Sequence, residues 1–295
     1  MNDPVVPATE ARNERTRGLD TMEASDLVTL LAREQRLAAD AVAEASPAIA
    51  RAVDAIVERL RTGGSLHYFG AGTSGRLAML DAVECPPTFG TRPSLVVAHV
   101  AGGEVALVRA IEGAEDNARA GAAQVRAHLH AGDVAVGISA SGGARYVLGA
   151  LAKAREIGAF TIGVTSVAHS ALAQECDLPI VVATGAEPIA GSTRLKAGTA
   201  QKLVLNALST ASMVRLGHAY DNVMIDVVAT NAKLAVRARR LVVALAHVDD
   251  DRATDLLVEA DGSVKTAVVM AVRAVDAATA RTLLAASGGF LRALL

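Results

Sequence analysis

Residues 66–83 read LHYFGAGTSGRLAMLDAV, and the fold turns on this stretch. Leu66–Phe69 is a short apolar run, Gly70–Gly75 a glycine-rich turn and Arg76–Val83 a helical stretch. A buried strand, a tight turn and a helix in that order open a βαβ unit. The turn satisfies the dinucleotide pattern G-x-G-x-x-G, whose glycines let backbone N–H groups approach an anion at a helix start. A dinucleotide site also needs an acidic residue about 20 positions on, at the end of the next strand. Here that strand ends Val97-Ala98-His99-Val100, and the first carboxylate beyond it is Glu104. Thr73 and Ser74 put two hydroxyls inside the turn, and the Lys-Ser or Lys-Thr pair of a P-loop is missing. The residues therefore favour a monophosphate held by Gly72, Thr73, Ser74, Gly75 and Arg76. A dinucleotide, or a plain turn of small residues, stays open as an alternative.

The pattern repeats outward from this unit. Apolar runs at Leu66–Phe69, Leu95–Val100, Val134–Ile138, Phe160–Val164 and Leu178–Val182 alternate with helical stretches. This alternation predicts five buried strands in a mostly parallel sheet with right-handed crossovers. In such sheets ligands bind beyond the carboxyl ends of the strands. Two further hydroxyl-bearing turns fall in or near that zone. Ser139-Ala140-Ser141-Gly142-Gly143 follows the third strand, making Ser139 and Ser141 candidate phosphate ligands. Gly191-Ser192-Thr193-Arg194-Leu195-Lys196 precedes a helix and adds Ser192, Thr193 and Lys196. Serine and glycine are common in turns, so the argument rests on the three loops converging.

Upstream, residues 25–45 and a second stretch opened by Ser46-Pro47 read as helices, the latter by its N-cap and first-turn proline. Downstream of 195 the strand signal fades. Residues 195–217 and 221–247 read as helices, and 251–295 as three short helical segments broken by Gly262 and Gly288-Gly289. The expected organisation is an N-terminal arm over 1–18, an α/β domain over 19–248 and a helical subdomain over 249–295. The polar arm is expected to be extended, disordered or laid across a partner subunit.

Composition excludes several classes. The 295 residues are 52% hydrophobic but only 2% aromatic, with no Trp. Such a core suits a parallel sheet covered by helices and offers no stacking platform for single-stranded nucleic acid. With 29 basic and 31 acidic residues the net charge is −2, so no basic excess recruits a polyanion. Two cysteines, Cys85 and Cys176, fit a reducing cytoplasm. The polar start lacks a signal peptide's apolar core, and no apolar run approaches the ~18 residues of a membrane span.

Glu84 precedes Cys85-Pro86-Pro87, where the prolines are expected to end the helix. Glu112 and Glu115 flank Gly113 at a break between helices. A carboxylate held against prolines and apolar neighbours is partly desolvated, which raises its pKa towards acid–base values. Solvated surface glutamates are the plainer alternative. His67, His99 and Cys85 read as packing residues, with no metal-ligand spacing around them.

Taken together, several blocks resemble the N-acetylmuramic acid 6-phosphate etherase family of the sugar isomerase (SIS) superfamily. They are TEARN (9–13), GLDTM (18–22), GAGTSGRLAMLDAVECPPTFG (70–90), AGGE (101–104), EGAED (112–116), GSTRLKAGTAQKLVLNALST (191–210), NVMIDVVATNAKL (222–234) and VKTAVVM (264–270). The resemblance runs from about Thr9 to Leu295. It implies a three-layer α/β/α sandwich with a helical C-terminal piece, and a homodimer with sites near the subunit interface. It implies a phosphosugar substrate, N-acetylmuramate 6-phosphate, whose D-lactyl ether is cleaved without metal or nucleotide. The family's catalytic pair maps onto Glu84, as the acid that protonates departing lactate, and Glu115, as the base at carbon 2. Two loops depart from the family: Ser139-Ala140-Ser141-Gly142-Gly143-Ala144 carries Ala144 where the family has Thr, while Ser139 adds a hydroxyl, and Ser166-Val167-Ala168 lacks the family's Cys-Asn-Pro. The resemblance leaves two other expectations, a phosphosugar-sensing regulatory protein and an aldose–ketose isomerase on the same fold.

Overall fold

A computed structural model describes residues 7–226 and 232–295. The chain divides into two compact units, residues 1–82 with 94–209 and residues 83–93 with 210–295. The boundary expected near 248 falls inside the second unit.

The first unit opens with helices α1 (Ala24–Glu44) and α2 (Ser46–Arg61), then alternates strand and helix. In order come β1 (Leu66–Gly70), α3 (Gly72–Phe89), β2 (Val96–Val100), the single turn α4 (Val105–Val108) and α5 (Ala118–His128). They are followed by β3 (Val134–Ile138), α6 (Arg145–Glu156), β4 (Phe160–Thr165), α7 (Ala171–Glu175), β5 (Leu178–Val181) and α8 (Lys196–Arg215). The five strands pair in parallel in the order β2-β1-β3-β4-β5. β1 and β3 are buried at every position, as a sheet covered on both faces requires. The sheet and its five strands thus agree with the sequence reading. A cluster on one face joins Phe69, Val125, Ala135, Tyr146, Val147 and Leu151.

The N-terminal residues are not free. Asn13 donates its side-chain amide to Glu34 at 2.8 Å and to the Ala186 carbonyl at 3.1 Å. Thr16 donates to the Pro188 carbonyl at 2.8 Å. The described part of the arm therefore docks on its own chain, against the expectation of an extended or partner-bound segment. Its polar side chains find buried acceptors there, and those bonds offset the entropy of ordering it.

In the second unit, Pro86 and Pro87 lie inside α3 rather than ending it. Proline removes an intrahelical bond, but Cys85 and Phe89, one turn apart, are both buried, and their packing keeps the turn helical. Gly90, at φ +64, ends the helix by donating to the Pro86 carbonyl at 2.9 Å. The predicted helix over 221–247 is also corrected. A short antiparallel pair, β6 (Ala219–Tyr220) with β7 (Val223–Met224), comes first, residues 227–231 lie outside the described residues, and α9 runs Ala232–Ala246. Three helices follow as expected, α10 (Asp250–Glu259), α11 (Val264–Arg273) and α12 (Ala277–Ala286). An additional break falls at Ala274, in the left-handed region at φ 53, while Gly288 and Gly289, at φ 65 and φ 84, separate α12 from a final 3-10 turn, Leu291–Ala293, as expected. Val242, Leu256, Val268, Val269 and Leu284 form this unit's core.

Candidate active site

Chain order reverses between β1 and β3: β1 leads through α3 to β2 on one side, while β3 lies on the other. The crevice outside the carboxyl ends at such a reversal is where open α/β sheets bind ligands. Gly70 ends β1 there, in register with Val100 of β2 and Ile138 of β3. A Cβ on Gly70 would meet the Gly75 nitrogen at 2.7 Å, and one on Gly75 would meet the Gly70 oxygen at 2.7 Å. These two glycines let helix and strand close on one another. Gly72 is different: its φ is +54 and nothing stands within 4 Å of where a Cβ would be. The space over the helix start is open.

Beside it lies a cavity of about 160 Å³ whose lining includes Gly72, Arg76, Ile111, Glu112 and Glu115. Glu115 is exposed on a 3-10 turn, Ala114–Asp116, set up by Gly113 at φ 68. Asn117 follows and accepts the Ala120 N–H, capping α5. Arg76 reaches from α3 to the end of α4. Its Nε donates to the Leu107 carbonyl at 3.2 Å and its Nη2 to the Arg109 carbonyl at 3.1 Å.

The remaining predicted ligands fare differently. Thr73 and Ser74 are half-buried in the turn, and the Thr73 methyl lies 3.5 Å from where a Gly198 Cβ would stand, so the first loop packs near the first turn of α8. Ser139 is buried, its hydroxyl accepting from the Gly142 N–H at 3.1 Å. Ser141 is exposed. At the third loop, Ser192 and Thr193 are half-buried, but Lys196 corrects the sequence reading. It is fully buried, and its ammonium sits 2.9 Å from Glu34. The start of α8 is closed by an internal carboxylate as well, because Glu187 accepts the Lys196 and Ala197 N–H groups at 2.8 and 2.9 Å. Glu34 also receives Arg15, at 2.6 Å. Chiefly that Arg15 hydrogen bond, then those from Lys196 and Asn13, hold the Glu34 carboxyl down at about 2, against the opposing cost of burial.

Glu84 lies in the second unit, exposed on α3. Ala78, Ala82, Cys85 and Phe89 are the buried apolar side chains of that helix, spaced four, three and four apart, and Glu84 falls off their face. The expected partial desolvation of the two glutamates is therefore not met within one chain: both are exposed. His67 and His99 do act as packing residues. They are buried, with Nδ1 of His67 3.0 Å from Nε2 of His99, and burial pushes their pKa values down to about 4 and about 3. Cys85 is a buried thiol. Among the described residues no group of three His, Cys, Asp or Glu side chains could hold a metal ion.

Comparison with known proteins fixes the family. Residues 48–155 match the glucokinase regulatory protein N-terminal SIS domain, and residues 116–211 match the SIS domain. The chain is 52% identical over 261 residues to an N-acetylmuramic acid 6-phosphate etherase of Thermobifida fusca (strain YX), covering 88% of this chain and 86% of that one. To the protein of the same name from Enterobacter sp. (strain 638) it is 47% identical over 287 residues, 97% of each chain. The chain belongs to the N-acetylmuramic acid 6-phosphate etherase family. A solved phosphoheptose isomerase from Francisella tularensis shares the fold, with a TM-score of 0.50 at 22% identity over 65% of this chain and 100% of that one.

For an etherase-family chain, the sequence reading missed which carboxylates are buried. Three of the buried carboxylates are Glu34, Asp81 and Glu187, whereas Glu84 and Glu115 are exposed. Asp81 accepts from Tyr68, Asn206 and Ser209 at 3.0, 2.6 and 3.0 Å, tying β1, α3 and α8 together. Nothing local in the sequence marks these three. Glu34 and Asp81 each take a donor from α8, 162 and 125 positions away, while Glu187 takes backbone N–H groups nine and ten positions on.

Proposed function

We propose that the chain cleaves the D-lactyl ether of N-acetylmuramate 6-phosphate, releasing N-acetylglucosamine 6-phosphate and D-lactate. The observation that carries the reading is the cavity whose lining Glu115 shares with Gly72 and Arg76 of the open glycine turn. A terminal phosphate on the turn's N–H groups and on the Thr73 and Ser74 hydroxyls leaves the sugar carbons towards Glu115. Ser139, Ser141, Ser192 and Thr193 remain candidate contacts at the rim, whereas Lys196 acts through Glu34.

An alkyl ether resists direct hydrolysis, but the open-chain aldehyde acidifies the proton on carbon 2. Glu115 takes that proton, the electron pair forms the carbon 2–carbon 3 double bond, and the bond from carbon 3 to the lactyl oxygen breaks. Glu84 protonates the departing oxygen. The carboxylate it becomes then activates water, which adds at carbon 3, and Glu115 returns its proton to carbon 2. The balance is substrate plus water giving the two products, with no electron acceptor, metal or nucleotide in the scheme. The family's homodimer, acting in the cytoplasm in cell-wall amino-sugar recycling, is part of the same proposal. A second chain could cover the two carboxylates that a single chain leaves exposed. Sedimentation of the purified protein tests that part.

The match of residues 48–155 to a regulatory-protein domain favours one other reading, a sensor that binds a phosphosugar without turnover. Assaying D-lactate from N-acetylmuramate 6-phosphate separates them: an etherase releases it, while a sensor binds and releases none. An aldose–ketose isomerase would interconvert phosphosugars, again without lactate. In heavy water the N-acetylglucosamine 6-phosphate should carry deuterium at carbon 2. Glu115→Gln and Glu84→Gln should each lower turnover by about 10²–10⁴-fold with the circular dichroism unchanged. Near-wild-type turnover in either removes that residue's role.

A further inference from the structure

One side chain, Arg76, joins the start of α3 to the segment that leads into the Glu115 turn, at the Leu107 and Arg109 carbonyls. We propose that Arg76 is the positioning residue for Glu115, holding the 103–116 segment against the start of α3, and that it is not primarily a phosphate ligand. The inference rests on the etherase reading for the role of Glu115, but not for the clamp itself.

The segment needs such a clamp. α4 is a single turn, too short to satisfy its own ends, and the carbonyls at its C-terminal end are the ones a short helix leaves without partners. Leu107 and Arg109 supply two of those carbonyls, and Arg76 takes both. Backbone hydrogen bonds from Gly103 to Asn117 otherwise close local turns: Ala106 to Gly103, Leu107 to Glu104, Arg109 to Val105, Ala114 to Ile111 and Asp116 to Gly113. Gly102, Gly103 and Gly113 all have positive φ, and Val105 and Val108 are 55% and 82% exposed. A stretch with few buried contacts and exposed backbone belongs to the low-stability end of a protein. Ala106 is its buried anchor. Arg76 is the cross-link that sets how far Glu115 stands from the turn at Gly72.

Arginine suits this task because its planar fork offers several N–H donors at fixed angles, which a lysine ammonium cannot reproduce. Two donor nitrogens are spent on carbonyls. Arg76 lines the same cavity as Glu112 and Glu115, so it brings a fixed positive charge to the site where the base acts.

The test compares Arg76→Lys and Arg76→Ala with the parent enzyme in two measurements. Steady-state lactate release should show kcat reduced by about 10–100-fold, the scale for a misplaced catalytic group, with KM within about threefold. Added guanidinium ion should restore part of the kcat of Arg76→Ala. Amide hydrogen exchange should quicken across 104–114 while β3 and β4 keep their protection. Combined with Glu115→Gln, the Arg76→Ala loss should be much less than additive, as for groups acting as a unit. A raised KM with kcat intact and exchange unchanged overturns the proposal and returns Arg76 to the phosphate. Faster exchange throughout the sheet also overturns it, by making the effect global. Should Glu115→Gln keep full turnover, the etherase role of Glu115 fails, and the exchange pattern still decides the clamp.

Discussion

Two helix starts in the first unit carry nearly the same local signature and have opposite fates. Gly70–Arg76 before α3 and Gly191–Lys196 before α8 both offer glycine, Ser and Thr hydroxyls, and a cation. At α3 the turn is open, with nothing within 4 Å of a Cβ on Gly72 and a cavity alongside. At α8 the chain has already supplied the anion: Glu187 occupies the N–H groups, and Lys196 is withdrawn to Glu34. A helix start attracts negative charge wherever it lies. Whether a ligand can use it depends on whether another part of the chain got there first.

The widest gap between the two regions should appear on Lys196→Met. If Lys196 is a structural cation, removing it leaves Glu34 buried with only part of its neutralisation, costing about 3–5 kcal/mol. Urea unfolding would show that loss, and KM should stay near the parent value. A raised KM at unchanged stability would put Lys196 back at the phosphate.

A second comparison pairs Thr73→Ala/Ser74→Ala with Ser192→Ala/Thr193→Ala. Hydrogen bonds to a charged group contribute about 1.5–3 kcal/mol each, and a distal phosphate clamp is uniform binding that appears in KM. The first double variant should raise KM by about 10–100-fold with kcat little changed. The second should change KM by no more than about twofold, a surface-substitution effect. Equal effects would mean that both loops hold the substrate.

The smallest effect is in pH. His67 and His99, on the strands beside the open turn, titrate near 4 and 3 when folded because burial disfavours their charged forms, against about 6.5 unfolded. Below that unfolded value the unfolded chain binds more protons, so their contribution is complete above pH ~6.5 and shrinks as acid is added. About 1 kcal/mol should be lost between roughly pH 7 and pH 6. Glu34, under α8, has its folded value lowered to about 2, so its contribution holds above its unfolded pKa of about 4.3 and fades only as the pH falls towards 2. Replacing His99 by Gln should flatten the first phase and leave the second. An acid profile with a single phase below pH ~4.5 would break the distinction.

Periodicity is a local property, so it sufficed for the strands β1 to β5 and for most helices. The failures are the places where packing overrode local preference. Pro86 and Pro87 stay helical because Cys85 and Phe89 are anchored. Ala274 takes a left-handed turn with no glycine to mark it. Residues 13–16 are held by acceptors more than 170 positions away in the chain, at Ala186 and Pro188.

By itself the sequence determined the alternation of strand and helix, the glycine turn at the carboxyl edge and the family, because each is written in short contiguous blocks. Tertiary structure alone decided which carboxylates are structural and which are available, which of two matching helix starts is open, and that Arg76 reaches the Leu107 and Arg109 carbonyls. Charge availability is set by donors brought from distant segments when the chain closes, and a linear string carries no record of those distances.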